Sequence, residues 1–198
     1  MSDVKSVLLA GVGGQGAILI SKIMTNGLLE AGYDIKQCED HGMAQRGGSV
    51  ITQVRYGDKV YGPVFGKGQA DYMIALEKME AVRCASFLKP DGIAIINDYQ
   101  QDSATTASGL AVYPEGCVEA MQEQFRCIVV RGEEIARGLG NAKCMNVVMF
   151  GAASTILETS AIDWESVVAE TVPAKLRELN VKAFRAGRDA ALSQAEAL

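Results

Sequence analysis

A short apolar run, Ser6 to Ala10, passes without a polar break into GVGGQG, Gly11 to Gly16, and then into a helix-period segment from about Gln15 to Ala31. Glycines 11, 13 and 16 stand at the G-x-G-x-x-G positions, between a strand pattern and a helix pattern. Gly11 permits a tight turn, Gly13 lets backbone approach a ligand, and Gly16 lets the helix pack close to the strand. Amides at the start of the helix then face any bound anion. The same glycines also suit a turn that merely lets helix and strand pack, because glycine adopts backbone conformations closed to other residues. A second strand, DIKQCE, follows Gly32, so the unit reads as β-turn-α-β, the opening of a doubly wound parallel sheet.

Beyond it the pattern changes. SVITQVRYGDKVYGP alternates two faces and turns at Gly57-Asp58, which predicts a hairpin and so an antiparallel excursion. YMIAL then reads as a buried strand, EKMEAVRCASFL as a helix, KPDG as a turn and IAIIN as another buried strand. From Pro114, EGCVEAMQEQF predicts a helix, CIVV a short strand and GEEIARGL a further helix. The rest, Asn141 to Leu198, is helical. There AKCMNVVMFGAASTILE is apolar nearly all round and therefore buried, Asp163 caps WESVVAE, and Pro173 and Asn180 mark breaks. The expected fold is α/β and Rossmann-like: a mainly parallel sheet, an antiparallel hairpin excursion and a helical C-terminal region. It forms one unit over residues 1–198, with no linker or repeat.

Charge and cysteine usage narrow the function classes. A net charge of -5 disfavours a general nucleic-acid binder, which needs a basic surface to displace counterions. Cys38, Cys84, Cys117, Cys127 and Cys144 form no C-x-x-C pair and suit free thiols in a reducing cytoplasm. With one histidine and no close cysteine pair, the chain offers no local ligand set for zinc or an iron-sulfur cluster. The N-terminal MSDVKSVLLAG lacks a signal-peptide layout, and no apolar run is long enough to span a bilayer. A cytoplasmic protein is expected.

The second chemical feature is HGMAQRGGSV, His41 to Val50. His41 can serve as a general base, a donor to a carboxylate, or a packed residue without chemistry. Arg46 offers a planar fork for carboxylate or phosphate, and Gly47-Gly48 admits a second backbone. Glu39 and Asp40 precede the loop, so an internal Arg-carboxylate pair is the alternative to a ligand clamp. The same two acids end the second strand, where a dinucleotide site holds its ribose, and this keeps a nicotinamide-binding enzyme in play, though the spacing from Gly16 is slightly long. No G-x-S-x-G elbow is present, which argues against a self-sufficient hydrolase.

Taken together, GVGGQGAILISKIM, HGMAQRGGSVITQVRYGDKVYGP, ADYMIALEKMEAVR, LKPDGIAIIN and NVVMFGAAS with LNVKAFRAG resemble the gamma-type domain of 2-oxoacid:ferredoxin oxidoreductases across nearly the full length. The HGMAQRGG form is most similar to the subunit type whose complexes act on aryl 2-oxoacids such as indolepyruvate. The resemblance implies an accessory catalytic subunit of a complex that decarboxylates the oxoacid oxidatively, transfers the acyl group to coenzyme A and reduces ferredoxin. It places thiamine diphosphate, magnesium and [4Fe-4S] clusters in a large alpha subunit, without which this chain is inactive. In agreement, the sequence has neither G-D-G followed by N-N nor a cluster-binding cysteine run. Carried over by position, Gly11, Gly13, Gly14, Gln15 and Gly16 form one loop, and His41, Gly42, Gln45, Arg46, Gly47 and Gly48 a second. His41 and Arg46 are the expected catalytic pair, and the glycines with Gln15 and Gln45 bind coenzyme A or face the partner's active site. No nucleic acid, membrane or metal is expected at these residues. A homo-oligomer of the isolated chain and a noncatalytic paralogue stay open.

Overall fold

A computed structural model describes residues 4–40, 48–157, 159 and 161–198, the side chains of 40, 104 and 105 aside. Strand β1 (Lys5–Val12) leads into helix α1 (Ala17–Glu30), followed by β2 (Asp34–Asp40) and β3 (Ser49–Gly57). Then come β4 (Ala70–Ala75), α2 (Lys78–Cys84), β5 (Leu88–Asn97), α3 (Ala104–Ala107), α4 (Cys117–Gln122), β6 (Arg126–Val130) and α5 (Gly132–Gly138). The chain ends in α6 (Met145–Ala153), α7 (Trp164–Thr171) and α8 (Arg177–Ala195).

Among the described residues the strands form one mixed sheet in the order β2-β3-β1-β4-β5-β6. Strands β1, β4, β5 and β6 run parallel, while β3 is antiparallel to both β1 and β2. Central position explains the apolar run of β1: Val7 and Leu9 face the layer of α1, α6, α7 and α8, and Leu8 and Ala10 face the layer of α2 and α4. Both faces are covered, so neither alternates with polar residues. The connections after β1 and β4 therefore leave on opposite faces, which makes the C-terminal ends of these two strands a topological switch point.

The α/β class, the mainly parallel sheet and the helical tail agree with the sequence reading; several details do not. The antiparallel excursion is β3 itself, paired with β2 across residues 41–48 rather than turning at Gly57-Asp58. Residues 58–69 carry no strand. They instead fold beneath the sheet edge, where Val60 donates its amide to the Asp34 carboxylate at 2.9 Å and Phe65 donates to the Gln53 side-chain oxygen at 2.7 Å. Strands β1 and β2 share no hydrogen-bond ladder because β3 lies between them. Lys89 to Gly92 lie within β5, where the register to β4 shifts, instead of forming a separate turn. Asn180 does not break the tail: it sits inside α8 and donates to the Leu176 carbonyl at 2.9 Å, which satisfies a buried amide at a helix start.

The tail packs as the apolar pattern predicts. Every residue of α6 is buried. Asp163 caps α7 by accepting the Ser166 amide at 3.2 Å. Helices α6 and α8 cross at two glycines: a Cβ on Gly151 would lie 2.0 Å from the Phe184 carbonyl oxygen, and one on Gly187 would lie 1.8 Å from that of Val148. Only hydrogen fits at either position. No helix among the described residues is long and apolar enough to cross a membrane.

Candidate functional site

The glycine turn occupies the C-terminal end of β1. Gly16 caps α1 in the left-handed region, φ 88°, and no side chain caps that helix start. A Cβ at Gly16 would also meet Asn146 Nδ2 at 2.2 Å, the same atom that donates to the Gly16 carbonyl at 3.1 Å. Glycine is thus required by backbone angle and by contact. Gly14, at φ 99°, has open space where a Cβ would stand. Gln15 turns back on the strand and accepts the Val12 amide at 2.8 Å, while its Nε2 donates to Gln101 Oε1 at 2.9 Å.

The second loop enters from the adjacent strand. Gly11 pairs with Val50 and Val12 with Ser49 in the β1–β3 ladder, and the Gly13 amide donates to the Gly48 carbonyl at 2.8 Å. Gly11, Gly13, Gly14, Gln15, Gly16 and Gly48 are therefore brought together. His41, Gly42, Gln45, Arg46 and Gly47 lie outside the described residues.

Two buried carboxylates that the sequence reading did not single out stand behind this edge, at the junction of β4 and α2. Glu77 is fully buried and Glu80 is 2% exposed. Glu77 caps α2 by accepting the Glu80 amide at 3.0 Å; it also accepts the Tyr113 hydroxyl and, at 3.3 Å, the Gln101 amide. Glu80 accepts the Ser49 hydroxyl and pairs with Arg83 Nε at 3.2 Å. Desolvation raises the Glu80 carboxyl above its ordinary value, against the lowering effects of Ser49 and Arg83. Burial likewise raises the Tyr113 phenol, helped by the Glu77 carboxylate that accepts its hydrogen bond. Asn97, also fully buried, joins the ends of β4 and β5 to α5 by donating to the Leu76 carbonyl at 3.0 Å and accepting the Gly132 amide at 2.9 Å.

Two clefts flank the glycine turn. One, of 250 Å³, lies toward β3 and is lined by Val12, Gly13, Gly14, Ile18, Val50 and Thr52. The other, of 500 Å³, opens on the far side between Gln15, Gln101, Tyr99, Arg137, Lys143 and Asn146. Arg137 is paired with Glu133, and Lys143 has no carboxylate partner among the described residues. Both clefts lie beside the switch point of the sheet.

All five cysteines are free, and burial pushes the Cys84 and Cys127 thiols up to about 11. No three His, Cys, Asp or Glu residues converge as a metal site among the described residues. The donor set among the described residues does not fit thiamine diphosphate with magnesium, nor an iron-sulfur cluster. A dinucleotide fits poorly too: with β3 interposed, the acidic end of β2 stands two strand spacings from β1, about 10 Å. In a dinucleotide fold the strand carrying the ribose acid is the immediate neighbour of β1.

Comparison with known proteins agrees with this architecture. The family model described as pyruvate ferredoxin/flavodoxin oxidoreductase matches residues 6–190. The chain belongs to this family. Among curated relatives, it is 38% identical to the indolepyruvate oxidoreductase subunit IorB of Archaeoglobus fulgidus over 195 residues, covering 95% of this chain and 96% of that protein. Its fold matches that of the keto/oxoacid ferredoxin oxidoreductase gamma subunit from Geobacter sulfurreducens, with a TM-score of 0.71, 24% identity and coverage of 96% and 99%. It also matches the 2-oxoglutarate:ferredoxin oxidoreductase of Magnetococcus marinus, with a TM-score of 0.73 and 19% identity, covering all of this chain but 32% of that one. The family resemblance read from the glycine loop, HGMAQRGG and the tail is thereby shown, and the chain is of an oxidoreductase-subunit type.

Proposed function

We propose that the chain is the small subunit of a 2-oxoacid:ferredoxin oxidoreductase that converts an aryl 2-oxoacid, indolepyruvate in the first instance, to its acyl-CoA while reducing ferredoxin. The observation that carries this reading is similarity to IorB over almost the whole of both chains. Thiamine diphosphate and [4Fe-4S] clusters, held in a large alpha subunit, supply the carbanion and electron chemistry. This chain's residues bind and orient. The glycine turn Gly11 to Gly16, with Gln15, presents amides and a helix start to a phosphate of coenzyme A or to the partner surface. Arg46 clamps an anion there, with His41 as its polar neighbour and Gln45, Gly47 and Gly48 completing the loop. The whole chain acts as one gamma-type unit in the cytoplasm.

The test is reconstitution. Alone, the chain turns over no indolepyruvate; mixed anaerobically with its large subunit, coenzyme A and an electron acceptor, it supports oxoacid-dependent reduction. Full activity of the large subunit without this chain would refute the accessory role. Activity on another 2-oxoacid alone would keep the role and replace the substrate.

A further inference from the structure

Among the described residues Glu80 forms no hydrogen bond with the glycine turn itself, yet the hydrogen bonds on this edge lead from one to the other. Its carboxylate accepts the Ser49 hydroxyl. Ser49 follows Gly48 directly, and the Gly48 carbonyl accepts the Gly13 amide at 2.8 Å. From the other side, the Glu80 amide is held by Glu77, which accepts the Gln101 amide at 3.3 Å; Gln101 accepts from Gln15, and Gln15 accepts the Val12 amide. The bonds form a ring that starts and ends on the glycine turn and crosses the sheet from β1 through β3 and α2 to the segment after β5.

A carboxylate 2% exposed is an expensive residue for a short helix whose cap is already supplied by Glu77. Its exposed partner among the described residues, Arg83, lies on its own helix. Among those residues the side-chain contact that extends beyond α2 is Ser49, at the point where β3 meets the turn. We propose that Glu80 is a positioning residue for the glycine turn, acting through the Ser49 hydroxyl and the Gly48 carbonyl to fix where the Gly13 amide stands. The inference rests on the C-terminal edge being the working edge of the subunit. A charged acceptor holds a hydroxyl more tightly than a neutral one, so a buried carboxylate makes a stiffer anchor than an amide or a water molecule.

The experiment reads amide exchange of Gly13 by NMR in the isolated chain, with Ile74 and Ile95 in the central strands as controls. Ser49→Ala and Glu80→Ala should speed Gly13 exchange about tenfold or more while leaving the controls unchanged, the effect of losing one charge-assisted bond on a local opening. Glu80→Gln keeps an acceptor oxygen but loses the charge, and should recover only part of the protection. Should Glu80→Ala not fold, Ser49→Ala decides, since it removes only a hydroxyl. Unchanged Gly13 exchange in Ser49→Ala overturns the proposal. So does equal acceleration at Ile95, which would make the pair a global stabiliser. In the reconstituted complex kcat should fall in the order of the Gly13 rates, and full kcat with a loosened Gly13 would also overturn it. An inactive wild-type complex refutes the proposed function instead, and leaves the exchange result standing.

Discussion

The amide of Gly13 donates to the carbonyl of Gly48 across 2.8 Å, so the glycine turn after β1 and the end of the HGMAQRGG segment are parts of one edge. The glycine turn and Gly48, the last residue of HGMAQRGG, thus meet at the point where the sheet's connections diverge to opposite faces. The bond is between main-chain groups, so side-chain changes in either motif act on a frame already joined.

Arg46→Ala should separate folding from function. Loss of a guanidinium that holds an anionic ligand or partner carboxylate costs roughly 2 to 5 kcal/mol in binding or transition-state stabilisation. The isolated variant should melt within about 1 kcal/mol of wild type, as for an ordinary surface change. His41→Ala should cost less, about 0.5 to 1.5 kcal/mol, the worth of one neutral hydrogen bond. Melting temperature of each variant alone, beside kcat/KM of each complex, checks the pair. If Arg46→Ala unfolds the chain while refolded material keeps full activity, the arginine serves Glu39 or Asp40 instead.

What the sequence showed was mostly local. The glycine turn, the buried β1 run and the Asp163 cap depend on neighbours within a few residues, and each was legible. The order β2-β3-β1 was not, because the alternation of SVITQVRYG is the same whether its partner precedes or follows it. Apolar residues in DKVYGPVF then looked like a second hairpin strand, when Val60 and Phe65 are buried under the sheet edge without pairing. Glu77 and Glu80 were hidden for another reason: acids three apart at a helix start normally read as a capping pattern facing solvent. The signal for Glu77 was its place directly after the buried YMIAL strand; Glu80 has none, since Ser49 reaches it only through the tertiary fold.

The crossing of α6 and α8 gives a stability prediction. Gly187→Ala places a methyl group where the Val148 carbonyl stands, and neither backbone can move without separating two helices that carry Phe150 and Phe184 in the main core. Overpacking of this kind costs about 1 to 3 kcal/mol and more where backbone must shift, against which the helix propensity gained by alanine, under about 1 kcal/mol, is small. Thermal or denaturant unfolding should show a clear loss. A variant as stable as wild type would mean that the two helices are not this close.

Gly16→Ala should be destabilising as well, but with an effect that reaches the site. The left-handed angle costs about 1 to 2 kcal/mol for a residue with a Cβ, and the contact with Asn146 adds to it. Asn146→Ala relieves the contact while removing the bond to the Gly16 carbonyl. The double variant should therefore be less destabilised than the sum of the single changes, a coupling that a double-mutant cycle measures directly. Strict additivity would show that the two residues do not touch.

The Glu80 carboxyl offers a prediction in pH. Its value in the folded chain is raised above the ordinary 4.5, chiefly by desolvation. Between the ordinary and the raised value the folded state holds a proton that the unfolded state has released. Folded protein then binds more protons than unfolded, so stability falls as pH rises through that window. Below the window the carboxyl is protonated in both states, and its titration makes no contribution. Glu80→Gln removes the titrating group without removing its size, and with it this loss. The melting temperature of the variant relative to wild type should therefore improve as pH rises from about 4.5, and level off once Glu80 is ionised in both states. The residues that face the carboxyl, Ser49, Arg83 and Glu77, are unchanged in the comparison, so the difference between the two pH profiles isolates Glu80. A difference that runs the other way, with wild type gaining on the variant as pH rises, would mean that Ser49 and Arg83 outweigh desolvation and that the ionised carboxylate is held more favourably inside the fold than in water.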